Sequence, residues 1–171
     1  MSSDLSAAQG GNLWGSLSAA LLDFQAYPGR YPTASREPRI LFDRVTDVLT
    51  LAADRNVDGL PEDPDLQQRL RDAARFFVRA AMLRHGLDHY ALLGLQRGFE
   101  PALLRDHYRM LIRMTHPDFA SDLNEWPADA ATRINLANDV LASPERRQAY
   151  EQSLPRKPAF AEPVVPARRR P

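Results

Sequence analysis

The chain contains no cysteine, and only one of its 22 basic residues, Lys157, is a lysine. The absence of cysteine excludes disulfides, thiolate metal sites and a cysteine nucleophile. No stretch approaches the roughly 18 consecutive apolar residues that a transmembrane helix needs. Near the start, Asp4 stands where a secretory signal would carry positive charge. These features predict a cytoplasmic protein that does not insert into a membrane.

Neither sign of charge predominates, because the 22 basic residues are matched by 22 acidic ones. This balance argues against nucleic acid as a partner. It conceals one basic segment, residues 155–171, which holds five basic residues, one acidic residue and five prolines. Such a composition predicts an extended or disordered tail, whose charge would at most favour weak anionic contacts.

The first 85 residues carry apolar side chains at helical spacing, and strand patterns are nearly absent along the whole chain. Helices are predicted over about residues 12–26, 38–56 and 64–86, separated by proline-containing loops. These helices could form a small bundle or could pack around whatever follows, and the sequence leaves both arrangements open. Residues 1–85 are interpreted as a helical extension that either only packs internally or selects a client or a location.

Residues 86–154 have a different pattern, made of four helical segments. Pro101 and Pro144 fit the first turn of a helix, where a missing amide hydrogen is harmless, and Ser143 can cap the last helix. With the extension, this pattern predicts an all-α fold. The four segments cover about residues 87–95, 101–115, 128–142 and 143–154.

One face of the helix predicted over 101–115 is basic, because Arg105, Arg109 and Arg113 recur at i, i+4 and i+8. Like charges at this spacing repel by roughly a few tenths of a kcal/mol per pair. One interpretation is a solvated face with Asp106 nearby. The other is a surface that binds an acidic partner.

His116, Pro117 and Asp118 follow this helix directly. Proline disfavours helical backbone in the residue before it, so the triplet should end the helix. By itself the triplet is compatible with a simple turn. In a catalytic alternative His116 acts as a general base oriented by Asp118, but no nucleophile, oxyanion donor or phosphate loop accompanies the pair. The two also lack further converging metal ligands, so neither a metal nor a cofactor is predicted.

Four features taken together resemble the J-domain of DnaJ-type co-chaperones, over about residues 87–152. They are a Tyr-x-Leu-Leu-Gly-Leu helix, a basic helix with inward leucines, the His-Pro-Asp triplet, and an ending of the form Ile-Asn-x-Ala…Val-Leu…Pro-x-Arg-Arg-x-x-Tyr. The resemblance divides the chain into an extension (1–85), a J-domain (86–154) and a tail (155–171).

The resemblance implies a four-helix J fold whose second and third helices form an antiparallel hairpin with the triplet at its end. It implies a monomeric, non-enzymatic protein that binds a DnaK-type heat-shock-70 chaperone, stimulates its ATP hydrolysis, and serves an unidentified client. His116, Pro117 and Asp118 would be the triggering residues. The electrostatic contact would come from Arg105, Arg109 and Arg113, and the core from Leu92, Leu93, Leu104, Tyr108, Leu111, Ile134, Ala137 and Leu141.

A second interpretation keeps the same fold but not the stimulation. In this chain Thr115 precedes the triplet where the family often has an aromatic residue, and Phe119 follows it where the family usually has a basic one. A scaffold or adaptor of this kind would bind the chaperone without accelerating its ATPase.

Overall fold

The computed structural model describes residues 4–32, 36–118 and 126–155, and the side chains of these except residues 4–13. Within these ranges the regular structure is entirely helical, which confirms the predicted all-α class. The predicted disordered tail lies outside the described residues except for Pro155. The helices are α1 (Asp4–Ala26), α2 (Arg39–Asp43), α3 (Val45–Ala52), α4 (Pro64–Phe77), α5 (His89–Leu92), α6 (Pro101–Thr115), α7 (Ala130–Ala142) and α8 (Pro144–Ser153).

Two of the predicted helices are interrupted in the structure. The helix predicted over 38–56 is divided into α2 and α3 at Arg44, whose backbone (φ −111°, ψ 33°) leaves the helical region. The helix predicted over 64–86 ends as an α-helix at Phe77 and continues as a π turn, Val78–Met82. The apolar period runs through both irregularities, so periodicity alone does not reveal them.

The N-terminal helices enclose a core that is rich in aromatic rings. Leu17 and Leu21 of α1 are fully buried, and Phe24 follows them on the same face. The ring of Phe24 lies edge-on to that of Phe77 in α4, with centroids 5.1 Å apart. Phe42 of α2 contacts the other side of Phe77 at 5.2 Å. Such edge-to-face pairs add about 0.5–1.5 kcal/mol each beyond the burial of their area.

The later helices form the predicted hairpin, in which α6 and α7 pack along each other. All eight predicted core residues contribute to the core, although Tyr108 is only partly buried and donates its hydroxyl hydrogen to Asn135 Oδ1 at 2.8 Å. Helix α8 begins as expected, because Ser143 Oγ accepts a hydrogen bond from the Arg146 amide. Its Tyr150 hydroxyl accepts one from the His89 amide at 2.9 Å and so ties α8 to α5.

The N-terminal helices pack directly against the later ones, and the two parts share one hydrophobic core. Helix α3 lies against α6, and Arg133 of α7 donates to the carbonyl oxygens of Leu83 (2.5 Å) and Arg84 (3.2 Å). These carbonyls end the segment that follows α4, where a guanidinium satisfies groups that the helix leaves unpaired. The extension therefore combines the two arrangements left open by the sequence, since its helices bundle with one another and also pack against the following helices.

Candidate functional site

The His116–Pro117–Asp118 triplet lies at the end of α6, where the chain stops being helical. His116 has extended backbone angles (φ −74°, ψ 133°), while its amide still donates to the Ile112 carbonyl at 2.8 Å. The extended conformation is the one that a following proline imposes. Pro117 and Asp118 are exposed, so the triplet leaves the helix toward solvent.

The two polar residues of the triplet interact through the His116 ring and the Asp118 backbone amide, and their two side chains are not hydrogen-bonded to each other. His116 Nδ1 accepts a hydrogen bond from the Asp118 amide at 3.2 Å, whereas the Asp118 carboxylate lies 3.7 Å from the same nitrogen. The longer distance exceeds that of a hydrogen bond. Because Nδ1 accepts, the neutral imidazole carries its proton on Nε2. Asp118 therefore does not orient His116 as the carboxylate of a general-base pair would.

The three arginines predicted to share a face are all exposed on α6. Arg113 stands three residues before His116, so the basic stripe runs up to the triplet. None of the three lies within ion-pairing distance of a carboxylate, Asp106 included, in the part of the chain that the structure describes. Their mutual repulsion is therefore not offset within these residues, an arrangement that fits both a solvated face and a surface for an acidic partner.

The other faces of α6 are covered, which leaves the arginine stripe as its open side. Leu104 and Leu111 are buried within the hairpin. A second buried row, made of His107, Met110 and Met114, was not predicted from the sequence. Its spacing of i, i+3 and i+7 is the available signal, because this is the period of a helix face.

His107 links three elements at the base of the site. Its Nε2 lies 2.8 Å from Thr46 Oγ1 on α3, and its Nδ1 lies 2.8 Å from the carbonyl oxygen of Leu93 after α5. A carbonyl can only accept, so Nδ1 carries the proton and Nε2 accepts from the threonine hydroxyl. Burial lowers the pKa of His107, and the hydrogen bond to the Leu93 carbonyl opposes this shift in part. The imidazole is thus a neutral structural link.

Aromatic groups hold α5 against α8 on the other side of the hairpin. The Tyr90 hydroxyl bonds to the Glu151 carboxylate. Burial and the nearby carboxylate raise the pKa of Tyr90 to about 12. The phenol therefore stays protonated at neutral pH and remains a donor to Glu151.

The described ranges contain neither a metal site nor a membrane-crossing helix. There, no group of three or more His, Asp or Glu side chains is arranged to hold a metal ion. In those same ranges, no helix combines the length and the apolar character needed to cross a bilayer.

Comparison with known proteins identifies similarity in the region of α5 to α8. The family model described as DnaJ domain matches residues 88–151. Chaperone protein DnaJ of Carboxydothermus hydrogenoformans is 38% identical over 65 residues, which cover 38% of this chain and 17% of that protein. The homologous protein of Bifidobacterium longum is 36% identical over 67 residues, or 39% of this chain and 17% of the relative.

A plant protein extends the comparison slightly further. Chaperone protein dnaJ C76, chloroplastic, of Arabidopsis thaliana is 37% identical over 86 residues, which cover 48% of this chain and 18% of that protein. The chain thus spans less than a fifth of the length of these curated relatives. No solved structure matches the chain.

Proposed function

Since residues 88–151 make this chain a member of the J-domain family, we propose that it is a co-chaperone of a DnaK-type heat-shock-70 chaperone and stimulates that chaperone's ATP hydrolysis. The observation that carries this proposal is the His116–Pro117–Asp118 triplet at the end of α6, half-buried at His116 and exposed at the next two residues, beside a basic stripe without an ion pair among the described residues. Both features lie inside the region that matches the family model.

The proposed division of labour follows from the chemistry of these groups. Arg105, Arg109 and Arg113 attract an acidic surface of the chaperone and orient the encounter, because complementary charge acts mainly on the association rate. His116 and Asp118 then dock through hydrogen bonds, with Pro117 fixing the direction in which they leave the helix. The ATPase chemistry takes place on the chaperone, and this chain contributes binding energy alone.

The N-terminal helices are proposed to select the client or the location. Their aromatic core and their packing against α6 support a folded module, with residues 1–85 as the extension, 86–154 as the J-domain and 155–171 as the tail. The part of this module that the structure describes leaves the arginine stripe exposed. A client held by the extension would therefore not compete with the chaperone for that stripe.

The decisive experiment is single-turnover ATP hydrolysis by the DnaK-type chaperone of the same organism. We expect acceleration by the wild-type protein and none by His116→Gln or Asp118→Asn. Matched controls are His85→Gln and Asp58→Asn, which change exposed residues away from the triplet and should preserve stimulation. All four variants should keep the circular dichroism of the wild type, because exposed substitutions usually alter stability by less than about 0.5 kcal/mol.

A scaffold that binds without stimulating is the second candidate, and Thr115 favours it. The Thr115 side chain is buried and its hydroxyl donates back to the Leu111 carbonyl at 2.9 Å, so the helix end offers the triplet a small side chain instead of a ring. Tight binding of wild-type protein without any acceleration would establish this candidate. Absence of both binding and acceleration would overturn the co-chaperone proposal itself.

A further inference from the structure

A continuous cleft separates the N-terminal helices from α5 and α8. Its inner end, a cavity of about 190 Å³, is walled by Phe24, Tyr31 and Phe42 and by two alanines of the π turn, Ala80 and Ala81. Its wider outer end, of about 1260 Å³, extends along α5 and α8. The two cavities meet at Arg36, Glu37 and Phe42, which line both.

The inner end of the cleft has the properties of a preformed apolar site. The rings of Phe24 and Tyr31 are stacked with centroids 5.6 Å apart, and the Tyr31 hydroxyl bonds to the Asp23 carboxylate. The wall that these groups form is fixed in place, so a ligand need not order it. The opposite wall contains a π turn, an irregularity often found at functional sites.

We propose that the C-terminal segment of the same chain, residues 156–171, binds in this cleft and places Phe160 in the apolar inner end. The last described residue, Pro155, itself lines the outer end, so the segment leaves the structure inside the cleft. Phe160 follows five residues later. An extended proline-rich backbone advances about 3.1 Å per residue, so Phe160 has a reach of roughly 15 Å from Pro155.

The composition of the segment suits this occupant. Four prolines among residues 156–171 restrict the free chain and so reduce the entropy that binding costs. Phe160 is the one aromatic residue of the segment, and an aromatic side chain is the group best matched to a pocket walled by rings. Proline-rich segments binding in aromatic-lined grooves are a recurrent mode of recognition.

Charge is expected to contribute less than apolar burial to the binding of residues 156–171 in the cleft. The outer end carries four acidic residues, Glu37, Asp43, Asp88 and Glu151, but Arg36, Arg39 and Arg97 line it as well. The basic pair Arg156 and Lys157 therefore meets a mixed surface. Since the attraction is largely balanced, binding of the segment should change little with salt, in contrast to chaperone binding through α6.

The absence of cysteine gives a direct test in the full-length chain. A nitroxide spin label is attached at Glu162→Cys, two residues after Phe160, and the amide signals of Ala80, Ala81 and Ala91 are recorded by NMR. We expect these signals to be broadened by the oxidised label and restored on its reduction. Adding Phe160→Ser should abolish the broadening, whereas the adjacent control Ala159→Ser should leave it intact.

Three outcomes would overturn the proposal. The amides in the cleft could be unaffected by the label, or the broadening could persist unchanged with Phe160→Ser. The third outcome is broadening that arises between molecules, seen when isotope-labelled chains without a nitroxide are mixed with spin-labelled chains. None of these measurements involves a chaperone, so the proposal can fail while the proposed co-chaperone function stands.

Discussion

The Thr46 hydroxyl oxygen lies 2.8 Å from Nε2 of His107, and this hydrogen bond joins α3 of the extension to α6 of the J-domain. The same imidazole donates from Nδ1 to the Leu93 carbonyl. Three segments that are distant in sequence thus depend on one neutral ring. Nearby, the Thr50 hydroxyl lies 3.7 Å from the Met110 sulfur and extends the same line of contact.

Stability should fall in mild acid because of His107. Burial lowers the pKa of His107 below its ordinary value, so the unfolded chain binds more protons at this residue as the pH falls. Neutral His107 makes its full contribution to the free energy of unfolding above about pH 6.5, and this contribution is lost as the pH drops through the lowered pKa. Urea unfolding in neutral and in mildly acidic buffer should show this loss for wild type and a smaller loss for His107→Gln. Burial also lowers the pKa of His89, but His89 is present in both proteins and cancels in the comparison. Equal losses would contradict the assignment.

Gly94→Ala should destabilise the junction between the extension and the J-domain. Gly94 has φ +65°, and a Cβ there would lie 3.0 Å from Val45 Cγ2 and 3.1 Å from Met82 Cε. For alanine, the left-handed backbone conformation lowers the free energy of unfolding by about 1–2 kcal/mol, and the crowding of its Cβ lowers it by about 1–3 kcal/mol more. Gly98→Ala is the matched control, since Gly98 also has positive φ but nothing within 4 Å of its Cβ position. Urea midpoints should therefore fall further for Gly94→Ala, and equal shifts would show that the contacts carry no cost.

Arg109→Ala should weaken chaperone binding and flatten its dependence on salt. Exposed charges are screened over about 8–10 Å at moderate ionic strength, so the stripe should contribute most in dilute buffer. Calorimetric or optical titrations at several salt concentrations provide the measurement. Arg69→Ala on α4, which is equally exposed, is the control and should bind as wild type does. Unchanged affinity of Arg109→Ala at low salt would make the stripe an ordinary solvated surface.

A fragment beginning at residue 84 should stay helical and still stimulate the chaperone, but melt at a lower temperature than the full chain. The fragment keeps α5 to α8, whereas it loses Thr46 and Thr50, which contact the buried His107 and Met110 in the full chain. Each apolar side chain that becomes exposed loses roughly 25 cal/mol of stabilisation per Å² of apolar surface that was buried. Thermal melting followed by circular dichroism tests this. Equal melting temperatures would mean that packing of the extension adds no stability to the J-domain.

Local sequence signals predicted the bounds of α6 better than they predicted the junction between the extension and the later helices. The bounds of α6 agree with the prediction because Pro101 and Pro117 mark its two ends through backbone sterics alone. The buried row on α6 was missed because it packs against α3, whose partner residue Thr46 is 61 positions away. Periodicity reports which face of a helix is apolar, but it does not identify the element that covers that face. The break at Arg44 was also missed, because the apolar period continues through it from α2 into α3.

Arg133 anchors the end of the extension to α7 through the Leu83 and Arg84 carbonyls, and only residues 83–87 separate the π turn from the cap of α5. The connection is therefore short and anchored, unlike a flexible linker. A flexible tether would spread a bound cargo over a volume set by its length, and the effective concentration at the chaperone would decline smoothly as it lengthened. A short, anchored connection fixes both the distance and the angle between the extension and the triplet. A cargo held on the extension would be presented to the chaperone in one orientation. Inserting residues within 83–87 would alter this orientation even where it left the distance between cargo and triplet nearly unchanged.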